Sequence, residues 1–363
     1  MSYDDQCSLK QERVNSLFRH VIKPEKIIGM SDPLHYRNKV QVSFGKDEKG
    51  RAIAGNYAKD SHTLIPVDEC MIADERANAI ISSVTKLVRK HKISVFDEWT
   101  YKGCMRHLLI RTASTGEIML VLVTGTSFIN EGDSFVKDIL HYNPSVTTVI
   151  QSVNNARTSM ILGKNFKTLY GKGYITDELL GFRFRISPSS FYQVNRRQTE
   201  VLYQTAISFA GLAGTESVID AYCGTGTIAI AMSPYAKEVT GVEINPQAVK
   251  DASRNAEENH IRNVSFICED AGKYMKKIAK EGKKTDLVMM DPPRSGSDET
   301  FLNALCTLRP EKIVYISCGP DTLRRDVGYL LKKGYEIKKL QPVDMFPFTG
   351  HVECVTLLER KKM

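Results

Sequence analysis

Two rhythms of apolar and polar residues divide the 363-residue chain. Up to about residue 190, short alternating runs such as Val40-Gln41-Val42-Ser43-Phe44, 107–112 and 118–124 read as half-buried strands. Helix-spaced stretches near 72–90 and 132–141 are mixed among them. A further helix is predicted over 1–22, with Leu9, Val14, Leu17, Phe18 and Val21 at roughly helical spacing and Pro24 just beyond its end. This mixture predicts an α+β domain. After a helix at 198–212, strands at 217–221, 238–242, 264–268, 286–290 and 313–317 alternate with helices opening at 227 and 246. Asn245 is placed to cap the second of these and Pro246 to occupy its first position. Regular alternation of this kind predicts a doubly wound, mainly parallel sheet. The boundary is set at 188/189, which gives two domains, 1–188 and 189–363.

Composition narrows the class. Apolar residues make up 42% and charged residues 25%, as in a soluble globular protein. No apolar run approaches the roughly eighteen residues that cross a bilayer, and the opening segment lacks the basic start and apolar stretch of a signal peptide. A cytoplasmic protein with no membrane partner is expected. Eight scattered cysteines form no C-x-x-C pair, so reduced thiols and no metal site are expected. The net charge of +8 is uneven: residues 1–190 hold 26 basic against 20 acidic side chains, the remainder 24 against 22. Within 151–190 stand Arg157, Lys164, Lys167, Lys172, Arg183 and Arg185, opposed only by Asp177 and Glu178. An anionic partner for the first half follows.

The second half carries the chemistry. Val218 to Thr227 reads as a strand, a glycine turn and a helix start, and Gly224 and Gly226 let the backbone come close to a ligand. The full G-x-G-x-x-G is absent and no Lys-Ser/Thr follows, which disfavours dinucleotides and nucleoside triphosphates. Glu243 ends the second strand, where an acid holds ribose hydroxyls. Asp270 ends the third, placed for an adenine amino group, and Asp291 ends the fourth within Asp291-Pro292-Pro293-Arg294. Acids at successive strand ends beside a glycine turn fit S-adenosylmethionine best. Cys318, after the strand at 313–317, stands where a covalent nucleophile belongs, although most such cysteines are packed structural thiols.

With these residues assembled, the chain resembles the RNA uracil-5-methyltransferase family over essentially its whole length. The similar blocks are His35-Tyr36-Arg37-Asn38-Lys39, Tyr170-Gly171-Lys172, Ser187-Pro188, Phe191-Tyr192-Gln193-Val194-Asn195, Asp291-Pro292-Pro293-Arg294, Ser317-Cys318 and Phe348-Thr349-Gly350-His351-Val352-Glu353. The resemblance implies a Rossmann-like methyltransferase domain preceded by an α+β RNA-binding domain. It implies that Gln193, Tyr222, Glu243 and Asp291 contact the cofactor or hold the site, with Cys318 as nucleophile and Glu353 as general base. The partner implied is structured RNA, 23S ribosomal RNA ahead of transfer RNA, handled by a monomer. The residue types suit the reaction: uracil C5 attacks a sulfonium methyl only after a thiolate has added to C6, and a base must then remove the C5 proton. Asp291 is left between the uracil edge and the sulfonium end of the site. Arg294 could meet a phosphate or the uracil carbonyl, and His351 reads as a packing or loop-fixing residue.

Two departures from the family pattern stand out. A cysteine triplet that holds an iron-sulfur cluster in many relatives has no counterpart here, where only Cys70 and the unmatched Cys7 remain, so no cluster is expected. The small β-barrel that opens many relatives is not found, which implies either a naturally short form or a truncated start. A cytosine-5 enzyme would place a second cysteine in the Pro-Pro block, and an amino-group methyltransferase would leave Cys318 and Glu353 without a task. An RNA-binding relative without activity is opposed by the same two residues.

Overall fold

The computed structural model describes residues 1–61, 63–67 and 69–362. The chain forms two compact units, one of Met1–Pro33, Leu179–Phe184 and Asn195–Met363, the other of Leu34–Glu178 and Arg185–Val194. The boundary expected at 188 is therefore displaced. Long-range packing assigns the first 33 residues to the later unit, and local sequence rhythm carries no trace of that.

The second unit is a seven-stranded sheet with two helices on one face. Its strands are β1 (Lys39–Lys46), β2 (Ala52–Tyr57), β3 (Leu64–Pro66), β4 (Met105–Thr112), β5 (Ile118–Thr124), β6 (Val146–Val153) and β7 (Asn165–Tyr170), in the order β3-β2-β1-β4-β5-β6-β7. Only the β5–β6 pair is parallel, joined by the crossover helix α3 (Gly132–Tyr142); α2 (Glu75–Lys90) lies between β3 and β4 in the chain. Ile80, Ile81, Val84 and Val88 of α2 pack on Val40, Val42, Leu108 and Ile110 of the sheet. The alternation read at 40–44 is real: Val40, Val42 and Phe44 are buried while Gln41 is exposed. The ribbon β8 (Ile175–Leu179) and β9 (Phe182–Ile186) carries the chain between the units.

In the first unit the predicted alternation produces a second seven-stranded sheet. Strands β10 (Ser217–Ala221), β11 (Glu238–Glu243), β12 (Val264–Cys268), β13 (Leu287–Met290), β14 (Lys312–Ser317), β15 (Tyr335–Val343) and β16 (Glu353–Arg360) lie in the order β12-β11-β10-β13-β14-β16-β15. The first five are parallel, and β16 runs antiparallel to both of its neighbours. The last two strands were not anticipated. Helices α4 (Arg196–Ala210), α5 (Thr227–Met232), α6 (Pro246–Glu258), α7 (Ala271–Lys280), α8 (Glu299–Leu308) and α9 (Pro320–Lys332) connect or cover the strands. Asn245 caps α6 by accepting from the amides of Gln247 and Ala248, with Pro246 at the first position, as expected. Among the described residues no helix is long and apolar enough to cross a membrane.

Helix α1 (Tyr3–Phe18) ends earlier than the predicted 22 and buries Val14 and Phe18 in the same core as Leu323, Val327 and Leu340. A buried ion pair fixes it: Lys10 Nζ lies 2.7 Å from Asp344 Oδ1, with side chains 6% and 0% exposed. Asp344 also accepts from the Tyr3 hydroxyl and the Phe346 amide. Removing one partner of such a pair strands the other charge away from water. Lys10→Met is expected to lower the stability of this unit by about 3 kcal/mol, read as a lower urea midpoint. An unchanged midpoint would show that the pair contributes nothing.

Candidate active site

The strand order assembles the site. Glu243 ends β11, Tyr222 follows β10, Asp291 follows β13, Cys318 follows β14 and Glu353 begins β16. These five strands are consecutive neighbours in the sheet. At about 4.8 Å per strand, the row from Glu243 to Glu353 spans roughly 19 Å. The antiparallel register pairs Ser317 with Cys354, so one further step places Cys318 opposite Glu353. Cys318 and Glu353, 35 positions apart in sequence, thus become neighbours through backbone pairing alone.

The glycine turn shapes one end of the row. Gly224 and Gly226 both have positive φ, 54° and 81°. A Cβ on Gly226 would come within 2.6 Å of the Phe266 ring, whereas one on Gly224 would meet no protein atom within 4 Å. Gly226 thus serves packing, and Gly224 keeps a backbone face open for close approach. The Glu243 carboxylate is held by two amides, Gly224 N at 3.1 Å and Asn245 N at 2.8 Å. Tyr222 is itself left-handed at φ 66°, an uncommon conformation for a residue with a Cβ. Its ring lies 4.9 Å from that of Phe301. Thr227 opens α5, its hydroxyl 3.4 Å from that of Tyr203. Asp270 is exposed and caps α7 through the Lys273 amide at 2.9 Å.

The other end is braced by α9. Asp326, fully buried, accepts from the Ser297 amide at 2.9 Å and the Tyr315 hydroxyl at 2.7 Å. Arg325 donates to the carbonyls of Ser295 and Ser297, both at 3.0 Å. The loop after Asp291 is therefore pinned on both sides. Ser317 Oγ accepts from the Gly319 amide at 3.2 Å, which sets the turn at Cys318 just before Pro320 starts α9.

Burial dominates the electrostatics. Desolvation raises Asp291 to about 7. Desolvation and then the Asp291 charge raise Glu353 to about 8, against a smaller opposing effect of Arg294. Burial, Glu353 and Asp291 push the Cys318 thiol up to about 11, again opposed by Arg294. One member of the group was missed in the sequence: Asp220, fully buried on β10, has no hydrogen-bond partner for either carboxylate oxygen. Burial and Asp291 hold its pKa well above the usual carboxylate range. A carboxylate between Ile219 and Ala221, in a strand that otherwise reads apolar, was the available signal.

Gln193 belongs to the second unit, where its carbonyl accepts from the Asn38 side chain at 3.2 Å. Arg294 and His351 are exposed, and the His351 ring stands 6.1 Å from Phe346. The donor set suits S-adenosylmethionine: an open glycine face, an amide-held carboxylate at the second strand, and buried acids whose charge a cationic ligand would stabilise.

Comparison with known proteins places the fold and the family. An RNA methyltransferase of Oceanobacillus iheyensis is 42% identical over 99% of this chain and 80% of its own length, and its activity is uncharacterized. Similarly named proteins of Clostridium tetani and Staphylococcus aureus also reach 42%, over 79% and 81% of their lengths. The crystal structure of the Pyrococcus abyssi tRNA (uracil-54, C5)-methyltransferase with S-adenosyl-L-homocysteine superimposes with a TM-score of 0.83 at 26% identity, covering 99% of this chain and 84% of that one. The family model for tRNA (uracil-5-)-methyltransferases matches residues 2–361, and the chain belongs to that family of S-adenosylmethionine-dependent RNA methyltransferases.

Proposed function

We propose that this enzyme methylates C5 of a uridine in 23S ribosomal RNA through a covalent bond between Cys318 and C6. The observation that carries the mechanism is the β14–β16 register, which sets a thiol and a buried carboxyl face to face at the strand ends. S-adenosylmethionine, when bound, supplies the methyl group together with a positive charge that favours the ionised forms of Asp291, Glu353 and Cys318. Cys318 adds as thiolate to C6, and the C5–C6 π pair moves towards C5 and the adjacent carbonyl. C5 would take up the methyl group as its bond to the sulfonium sulfur breaks, with that electron pair remaining on sulfur and S-adenosyl-L-homocysteine as the leaving group. Glu353 removes the C5 proton, the pair re-forms the C5–C6 double bond, and the thiolate leaves. Glu243 and Tyr222 hold the nucleoside part of the cofactor, with Gly224, Gly226, Thr227 and Asp270 around it. Asp291 and Asp220 face its cationic end.

The ribosomal target rests on the Tyr36-Arg37-Asn38-Lys39 and Tyr170-Gly171-Lys172 blocks. Transfer RNA is the second reading, favoured by the Pyrococcus abyssi neighbour. In either case the basic stretch 151–190 is assigned to phosphates. Lys164 and Lys167 are exposed, whereas Lys172 pairs with Glu117 at 3.4 Å. Base choice is left to the pocket, into which the uridine must be flipped. The reading further takes the protein to be a cytoplasmic monomer.

RNA containing 5-fluorouracil has no removable C5 proton and should trap the adduct. Wild type is expected to give a denaturation-stable protein–RNA band and Cys318→Ala none; a band that survives the substitution refutes the assignment. Glu353→Gln is expected to methylate and then stall with RNA still attached, and normal turnover by that variant would name another base. Because Glu353 is pushed up to about 8 and the Cys318 thiol to about 11, wild-type kcat/KM should rise with pH through 8 and keep rising above it. The folded state holds that proton where the unfolded chain has lost it, so this contribution to stability is full below the ordinary glutamate value and fades as pH climbs towards 8. Glu353→Gln should accordingly gain melting temperature relative to wild type between pH 5 and 8; a constant difference across that range contradicts the buried acid.

Charge reversal at Lys164 and Lys167 should weaken RNA binding most at low salt and leave cofactor affinity unchanged. Offering unmodified ribosomal and transfer RNA with labelled cofactor decides the target. Label in transfer RNA alone overturns the ribosomal choice.

A further inference from the structure

The second unit contains a like-charged pair where ordinary sheet chemistry would avoid one. Lys39 of β1 and Arg111 of β4 are direct cross-strand partners. Side chains so placed have Cβ atoms about 5 Å apart, and like charges there oppose folding. Val40 and Ile110 point into the core shared with α2, so Lys39 and Arg111 both project from the opposite face of the sheet. Neither is well exposed: Lys39 is half-buried and Arg111 only 4% accessible. Arg37, two residues before Lys39, adds a third cation and donates through Nε to the Lys39 carbonyl at 3.1 Å.

No carboxylate among the described residues lies within ion-pair distance of any of the three. Arg111 gives one nitrogen to the carbonyls of Pro188 and Ser190, while its Nε is buried without a partner. Burial, and then the field of Arg111 and Arg37, lower the Lys39 ammonium to about 8. A structural role alone would be met by an apolar residue at 39, which would remove the repulsion.

We propose that Arg37, Lys39 and Arg111 form a preorganised anion site on the sheet face of the second unit that binds a phosphodiester of the RNA substrate. The cluster costs stability in the free protein because the neutralising charge arrives with the ligand. Arg111 is the fixed member, held by two loop carbonyls, and Lys39 is the compact cation that gains most when an anion enters. This inference rests on the RNA-methyltransferase reading but not on which RNA is methylated, since phosphates are common to all.

The test uses the full chain and the opposed signs of two effects. Lys39→Met should raise the melting temperature, by about 2 °C, because it deletes the like-charge contact. The same variant should weaken binding of unmodified ribosomal RNA fragments roughly tenfold at low salt. It should also reduce the slope of log affinity against log salt by about 0.7–0.9, the share of one phosphate. Lys39→Arg should restore both the affinity and the salt slope without the gain in stability. Affinity is measured in the Cys318→Ala background, so failure of the methylation chemistry leaves this readout intact. Calorimetry with S-adenosylmethionine separates the remaining source of an anion, the carboxylate of the cofactor. Unchanged cofactor affinity supports the phosphate assignment, and a loss confined to cofactor binding overturns it. A Lys39→Met protein that melts lower than wild type, or that keeps its full salt slope, overturns it as well.

Discussion

The placing of Cys318 against Glu353 in the first unit depends on the hydrogen-bonded register between β14 and β16. A slip of one residue would turn Glu353 to the other face of the sheet and remove the carboxyl from the thiol. Cys354, Val355, Leu357 and Leu358 are buried along β16, so its register is held by side chains on both faces as well as by the ladder. That double constraint lets a carboxyl remain buried beside Asp291. The surroundings cannot relax to solvate it, and its proton affinity rises instead.

The acids of the row differ in how they are satisfied, and the difference sorts their tasks. Glu243 is tied by two amides, which fixes its carboxylate. Asp220 is wholly enclosed, and among the described residues neither of its oxygens accepts a well-formed hydrogen bond. A carboxyl in that state is stable only when protonated or when a cation is near. Asp326, equally buried, is fully employed by Ser297, Tyr315 and Arg325 and acts as scaffold.

Strands β10 and β12 and helix α5 were legible to the residue, because apolar runs ending in a glycine turn or an acid have few alternatives. Asn245-Pro246 marked the start of α6 for an equally local reason. The two C-terminal strands were not. β15 carries Glu336, Lys338 and Lys339, and β16 ends in Glu359 and Arg360, so neither shows a clean period of two. Their pairing is decided by the sheet edge left open beside β14. The place of α1 was hidden for a related reason: what holds it, Asp344, lies 334 residues further along. Of the site, the strand-end residues could be read from position, whereas Asp220 was passed over because a single acid inside a strand resembles a surface residue until its burial is known.

The discontinuous first unit has a consequence for synthesis. Its first 33 residues cannot bury Val14 and Phe18 until the strands that cover them exist, and the partner of Lys10 is made only near the end of the chain. The second unit has all its segments once residue 194 is made, and its sheet is closed mostly by neighbouring strands. On the ribosome the middle of this protein should therefore fold first, with Val14 and Phe18 left uncovered until late in translation.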